Sequence, residues 1–427
     1  MIALFMALAL LLFVLFLGLP VAFTLGITSV MLMLQNSLPL GVVGTTVFNS
    51  VHSFVLVAVP LFILMSYVLL EGRVGHDLFD VMYTWVRHLH GGLAIGTVLA
   101  TAFFCSITGS SAAAAATMGA VAYPAMTARG YDKKFTLGLL ASAGTLGILL
   151  PPSIPMVIYG SITEESVGKL FIGGIIPGLI FTGILIVYVV YRSRTDKGAS
   201  TVMPKASWKE CLTITLKNAW GIALPFLMLG GIYSGAFTPT EAAAVGLSYS
   251  LFVTMIVYRT LPLRKLPDVC MKALATSCMI AMIIAGAKVF GRVMTMLEIP
   301  QTMTEVVIAN NLSPFMFVIA MNLLMLVLGL FMETISVILL TVPLIVPLLH
   351  VLGIDPIWYG IIVTVNMTLA LVTPPVGINL FVLCGLSKDI HIKEVIAGVM
   401  PFVFLMLLLL ALVILFPALS TWLPSIM

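Results

Sequence analysis

Apolar runs long enough to cross a bilayer follow one another along almost the whole chain, at 2–17, 52–70, 171–191, 240–258, 316–331 and 395–416 among others. A helix needs roughly 20 residues to span the hydrocarbon, and only helices or closed barrels satisfy their own backbone there. The runs lack the alternation of barrel strands. The chain is therefore expected to form about ten to twelve membrane helices. Composition agrees: 61% of the 427 residues are hydrophobic and 8% are charged, where a soluble domain carries about 25% charged residues. The net charge of +4 comes from basic residues in short loops and does not indicate a nucleic-acid partner. The first run has no basic flank before it and no small-residue cleavage pattern after it, so it reads as a membrane helix, not a removable signal. Five scattered cysteines form no CxxC pair, which indicates neither a disulfide frame nor a zinc site. The longest polar stretch, about 192–217, reads as a loop.

The chain repeats itself. An offset of 223 carries Pro124, Gly130 and Asp132 onto Pro347, Gly353 and Asp355, and Thr145, Pro151 and Pro152 onto Thr368, Pro374 and Pro375. An offset of 219 carries Pro20 onto Pro239 and "GRV" at 72–74 onto "GRV" at 291–293. Two ordered sets indicate a duplication.

Charge shows how the copies are related, because cytoplasmic loops collect Lys and Arg. "RGYDKK" (129–134) is basic and its mate "LGIDPI" (352–357) is not; "SITEESVGK" (161–169) is acidic, whereas its mate "SKDIHIK" (387–393) carries Lys388 and Lys393. Equivalent loops thus face opposite sides, and the repeats are inverted. The basic loops 192–217 and 259–272, two spans apart, both fit the cytoplasmic side.

Each copy interrupts a spanning segment with adjacent prolines, in "TLGILLPPSIP" (145–155) and "TLALVTPPVGI" (368–378). Proline removes a backbone donor and breaks the helix. Inverted repeats with matched broken helices are the pattern of secondary transporters, where unwound carbonyls near the midplane coordinate an ion. A hard cation such as sodium takes such oxygens without a buried protein charge. Upstream of each break lies a tract that must turn back on itself. The first, about 95–128, has its tip at Gly109, Ser110 and Ser111; the second, about 314–351, has its tip at Met332, Glu333, Thr334 and Ser336. Both read as re-entrant hairpins. Small residues also mark ordinary helix packing, which explains the alanines of 112–116 but not the Gly-Ser-Ser interruption.

Glu333 is an intramembrane carboxylate and hence a functional candidate; it can hold a cation, capture a proton or accept backbone hydrogen bonds, and the sequence leaves these open. Asn366 and Asn379 flank the second break and can orient substrate. Arg73 and Arg292, a repeat-matched pair, are expected at the membrane surface, snorkelling. In "FTPTEAAAVG" (237–246), Thr238 or Thr240 can cap a helix with Glu241 in its first turn.

"ITGSSAAAAATMG", "TLGILLPPSIPMVIYG", "GAFTPTEAAAVG" and "TLALVTPPVGINLFV", in this order, resemble the large membrane subunit of tripartite ATP-independent periplasmic (TRAP) transporters over essentially the whole chain. The resemblance implies an all-α polytopic membrane protein of the elevator type, similar to the ion-transporter superfamily. It implies first-repeat scaffold helices in 1–92, a first transport region in 93–191, a cytoplasmic loop in 192–217, second-repeat scaffold helices in 218–313 and a second transport region in 314–427. It further implies sodium-driven symport of an organic acid anion across the bacterial inner membrane, with a periplasmic binding protein delivering substrate and a small four-helix membrane subunit, here a separate chain. Carried over, one sodium site would use Thr108, Ser110, Gly147, Leu150 and Pro152, and a second Glu333, Thr334, Ala370 and Thr373. The second is less closely matched, because Glu333 stands where its mate is Ser110. Substrate would lie between the hairpin tips, at Ser111 and Thr334, flanked by Asn366 and Asn379.

Other readings are a stand-alone sodium-coupled anion symporter, an intramembrane hydrolase and a passive channel. The hydrolase lacks a base, since a nucleophilic serine needs one and only His52 and His350 lie near segment ends. Opposed hairpins, which imply a gate on each side, disfavour the channel.

Overall fold

The structure, a computed structural model, describes residues 9–11, 13–15, 17–195 and 203–426. Most of the first apolar run and Lys197 lie outside these residues; the part of that run at 9–11 and 13–15 is helical. Among the described residues every regular element is a helix.

Each repeat builds a hairpin followed by a broken helix. Hairpin 1 has arms Gly92–Thr108 and Ser111–Thr127, and hairpin 2 has arms Pro314–Gly329 and Thr334–Val351. Broken helix 1 runs Lys133–Gly144, a turn at Leu146–Leu149, the interruption, then Ile154–Thr163; broken helix 2 runs Pro356–Ala370, the interruption, then Ile378–Cys384. The repeat-matched aspartates start both: Asp132 Oδ2 accepts from Phe135 N at 2.8 Å, and Asp355 Oδ1 accepts from Ile357 N and Trp358 N at 2.7 and 3.0 Å. Such N-caps satisfy donors the helix cannot pair itself.

Six helices are long and apolar enough to cross a membrane among the described residues, or up to eight if two bent pairs each count as one span. This is fewer than the ten to twelve expected from apolar runs. Apolar length overcounts here because several runs stop short: the first hairpin arms have 17 and 16 residues, and the helices Val21–Gln35 and Pro356–Ala370 have 15 each.

The 192–217 stretch is not wholly a loop. Trp208–Lys217 is helical, with Ser207 as its N-cap. Its polar side docks on the helix Val74–Val86 and its C-cap: Arg87 holds Glu210 through two nitrogens at 2.7 and 2.9 Å, and Trp85 Nε1 donates to Thr215 Oγ1 at 2.9 Å. Trp208, Leu212 and Leu216 stay exposed. Apolar residues at helical spacing among lysines make an amphipathic surface helix.

Burial is distributed as a bilayer demands. Phe48, Leu179, Val187, Phe226, Leu323 and Phe404 are exposed and form an apolar outer surface. By contrast the most apolar 18-residue window of the segment Lys133–Thr163 is 100% buried. Irregular backbone is tolerated at membrane depth only where protein or a cavity surrounds it, so the interrupted element sits at the centre. Around it, Lys133–Gly144 packs against Ile392–Leu415, while Leu266–Met296 packs against Val21–Gln35, Gly41–Val51 and Ala58–Glu71.

Candidate functional site

Pro151 and Pro152 lack N–H groups, so the carbonyls of Gly147 and Ile148 lose their donors one turn ahead. Ile148 O is compensated by Ser153 Oγ, which donates to it at 2.6 Å; Gly147 O loses its helical donor with no such substitute. The second break repeats this arithmetic. Pro374 and Pro375 deprive Ala370 O and Leu371 O, and Leu371 O is compensated by Asn379 N at 3.1 Å. Gly147 and Ala370 are repeat mates, so each copy frees the same carbonyl.

The hairpins press onto these freed groups. A Cβ on Gly147 would stand 2.8 Å from the Ser110 carbonyl carbon and oxygen, and one on Gly109 (φ +61°) would stand 2.5 Å from Pro152 O. Only glycines let the two backbones come this close. Thr108 is buried and donates its hydroxyl to Phe104 O at 3.1 Å, which leaves its oxygen able to accept a cation. Ser110 is the N-cap of the second arm, its Oγ accepting from Ala113 N at 3.4 Å. In the other copy a Cβ on Gly329 would stand 2.5 Å from Ala370 Cβ, and Thr373 Oγ1 donates to Leu369 O at 2.6 Å. Thr334 Oγ1 and Ser336 Oγ are buried without a hydrogen-bond partner. Buried polar atoms are normally paired, so an unpaired hydroxyl at a hairpin tip marks a place for a ligand. Glu333 is half-buried and makes no capping bond to its helix.

Both tips and both breaks meet at one cavity of about 380 Å³. Ser110, Ser111, Glu333 and Thr334 line it, as do Ile148, Leu371 and Ile378 from the broken helices. Among its lining residues Glu333 alone is charged, and none is basic. The first residues of three helices, Ser111, Ile154 and Thr334, face it together. Helix N-termini present unpaired N–H groups and a partial positive charge, so the cavity can hold an anion without a cationic side chain.

The two asparagines are placed differently. Asn379 is fully buried behind the cavity, its Nδ2 donating to Ser111 Oγ at 2.8 Å and to Ala141 O at 2.9 Å. Asn366 Nδ2 donates to Asn322 O and Oδ1 at 2.7 and 2.8 Å, joining broken helix 2 to hairpin 2. Neither lines the cavity; both brace the elements that do. Leu150 and Pro152 lie in the first interruption and are buried, while Arg73 and Arg292 are exposed. Thr238, not Thr240, is the cap near 240, in a capping box with Glu241. Among the described residues no group of three or more His, Cys, Asp or Glu could hold a metal ion.

Sequence reading noted Ser153 only as a small residue after the prolines, not as the replacement for a lost donor, and it missed Ser66, Tyr67 and Thr276, which reach the cavity from other helices. The signal for Ser66 and Tyr67 was present as a polar interruption, "SY", inside the run 52–70.

An all-helical, multi-pass membrane protein with two hairpins and two broken helices around one cavity is a transporter by architecture. The chain belongs to the family described as "Tripartite ATP-independent periplasmic transporter, DctM component", matched over residues 8–419, and it is a large permease subunit of that family. It is 42% identical over 378 residues to the C4-dicarboxylate TRAP transporter large permease protein of Pseudomonas aeruginosa, covering 88% of each chain. It is 33% identical over 414 residues to the sialic acid TRAP transporter large permease protein of Vibrio cholerae, covering 96% of each. In fold it is similar to the YdaH transporter of Alcanivorax borkumensis, with a TM-score of 0.58, 16% identity and 89% of each chain covered.

Proposed function

We propose that this subunit carries an organic acid anion inward across the bacterial inner membrane by symport with sodium. The observation that carries the reading is the cavity itself, with three helix N-termini for an anion and no basic side chain in the lining; the freed carbonyls of Gly147 and Ala370 lie one residue before the lining residues Ile148 and Leu371. Thr108, Ser110 and the carbonyls of Gly147, Leu150 and Pro152 hold one sodium ion; Glu333, Thr334, Ala370 and Thr373 hold a second. Ser111 and Thr334 touch the anion, and Asn366 and Asn379 position the elements around it. A bound sodium adds positive charge beside the anion, so each favours the other's binding.

The substrate class put first is the C4-dicarboxylates, because the 42%-identical relative is named for them and the 33%-identical one is named for sialic acid. A periplasmic binding protein delivers the anion, a small membrane subunit completes the complex, and the hairpins with the broken helices move as one elevator body against the remaining helices. Reconstitution tests this. Proteoliposomes holding this chain and the small subunit, given binding protein loaded with succinate, should accumulate succinate only under an inward sodium gradient. Equal accumulation under a proton gradient without sodium would refute sodium coupling, and robust uptake without binding protein would favour a stand-alone symporter.

A further inference from the structure

The cavity has one wall that neither hairpin nor broken helix supplies. The helix Ala58–Glu71 contributes Tyr67 and the helix Leu266–Met296 contributes Thr276. Two polar rungs fix these helices to each other. Tyr67 OH and Thr276 Oγ1 lie 3.0 Å apart, and one turn along both helices Lys272 Nζ donates to Glu71 Oε1 at 3.2 Å. Lys265 Nζ lies 3.7 Å from the other Glu71 oxygen, so two ammonium groups share one carboxylate.

Two other hydroxyls of the cavity are committed. Ser66 donates to the carbonyls of Phe62 and Thr108 at 2.8 and 2.5 Å, and Ser111 is paired with Asn379. Thr276 has an acceptor of its own, the Lys272 carbonyl at 3.1 Å. With the Thr276 proton directed there, Tyr67 donates to the Thr276 oxygen, and its proton can turn to an anion without stranding Thr276. A tyrosine has one neutral donor on a side chain with few torsions, which lets it recognise a carboxylate at small entropic cost. The helix N-termini of the hairpin tips lie on the same cavity and can hold a first carboxylate; Tyr67, on the separate wall, can reach a second.

We propose that Tyr67, oriented by Thr276, donates its hydroxyl to the second carboxylate of the transported anion and so selects diacids over monoacids. This rests on reading the cavity as an organic-anion site. Because Tyr67 lies on neither hairpin nor broken helix, its loss weakens anion binding and leaves sodium binding alone.

Binding of radiolabelled succinate and of butyrate is measured on the purified protein in saturating sodium, with sodium binding followed separately without anion. Y67F keeps the ring and its packing. It should bind succinate about tenfold more weakly, the scale of one hydrogen bond to a charged group, with butyrate and sodium affinities unchanged. T276V should shift succinate affinity in the same direction by less. Equal succinate affinity in Y67F and wild type would overturn the assignment, as would equal losses for succinate and butyrate. If wild-type protein bound neither acid, the anion reading of the cavity itself would fall, a different failure from loss of selectivity.

Discussion

Replacing Gly147 with alanine tests the cradle most directly. The added Cβ would stand 2.8 Å from both the carbonyl carbon and the oxygen of Ser110, and 2.9 Å from Ser111 N. Ordinary contact begins near 3.4 Å, so the hairpin tip must retreat by about 0.6 Å. The neighbours are backbone atoms at a capped turn and cannot rotate away as a flexible side chain would. Overpacking of this kind costs about 1–3 kcal/mol. The tip and the break are the two halves of one proposed sodium site, so separating them transfers that cost to ion binding. The apparent sodium affinity should then fall roughly 5- to 150-fold. The control is Gly183→Ala, where a Cβ meets nothing within 4 Å. Inside the helix Val167–Thr195 that change should be neutral or stabilising by up to about 1 kcal/mol. Sodium activation of uptake, measured with surface expression and thermal midpoint, decides. Wild-type sodium activation in G147A would show that the tip and the break do not jointly bind the ion.

Thr334→Val removes a buried hydroxyl that has no partner in the protein; transport and sodium activation should drop while the thermal midpoint stays or rises, and an unchanged sodium response would remove Thr334 from the site. Asn379→Ala strands Ser111 Oγ and Ala141 O, each left without the donor it now has; a loss of about 1–3 kcal/mol of stability is expected, read as a lower thermal midpoint in detergent, and an unshifted midpoint would contradict the bracing role. The repeat-matched positions 128 and 351 are both exposed; in a cysteine-free background, Ala128→Cys should be labelled by an impermeant thiol reagent from the cytoplasm and Val351→Cys from the opposite side, and labelling of both from one side would disprove the inversion.

Local chemistry made a good deal of this protein legible. Adjacent prolines break helices wherever they fall, so both interruptions were evident from spacing alone, whereas Gly147 and Ala370 came from the family resemblance and the repeat. The hairpin tips were likewise legible, where Gly109 and Ser110 separate the helices Gly92–Thr108 and Ser111–Thr127 as expected. Span number was less legible, because hydropathy counts apolar length and cannot tell a crossing helix from a hairpin arm that turns back. The helix Trp208–Lys217 was hidden for a related reason: its amphipathic pattern is short, and what holds it is a contact with Arg87, far off in sequence.

Which side chains meet was decided only by the tertiary fold. Asn379 looks like a substrate ligand beside a break, yet it is spent on Ser111, 268 residues away, and Asn366 on Asn322, 44 residues away. Tyr67 looks like an ordinary helix residue until packing sets it against Thr276, 209 residues on, at the cavity wall. Helix breaks and caps follow from a few neighbouring residues, whose backbone donors and acceptors can be counted in order along the chain. Pairings between distant side chains depend on how whole helices lie against one another, which no local stretch encodes.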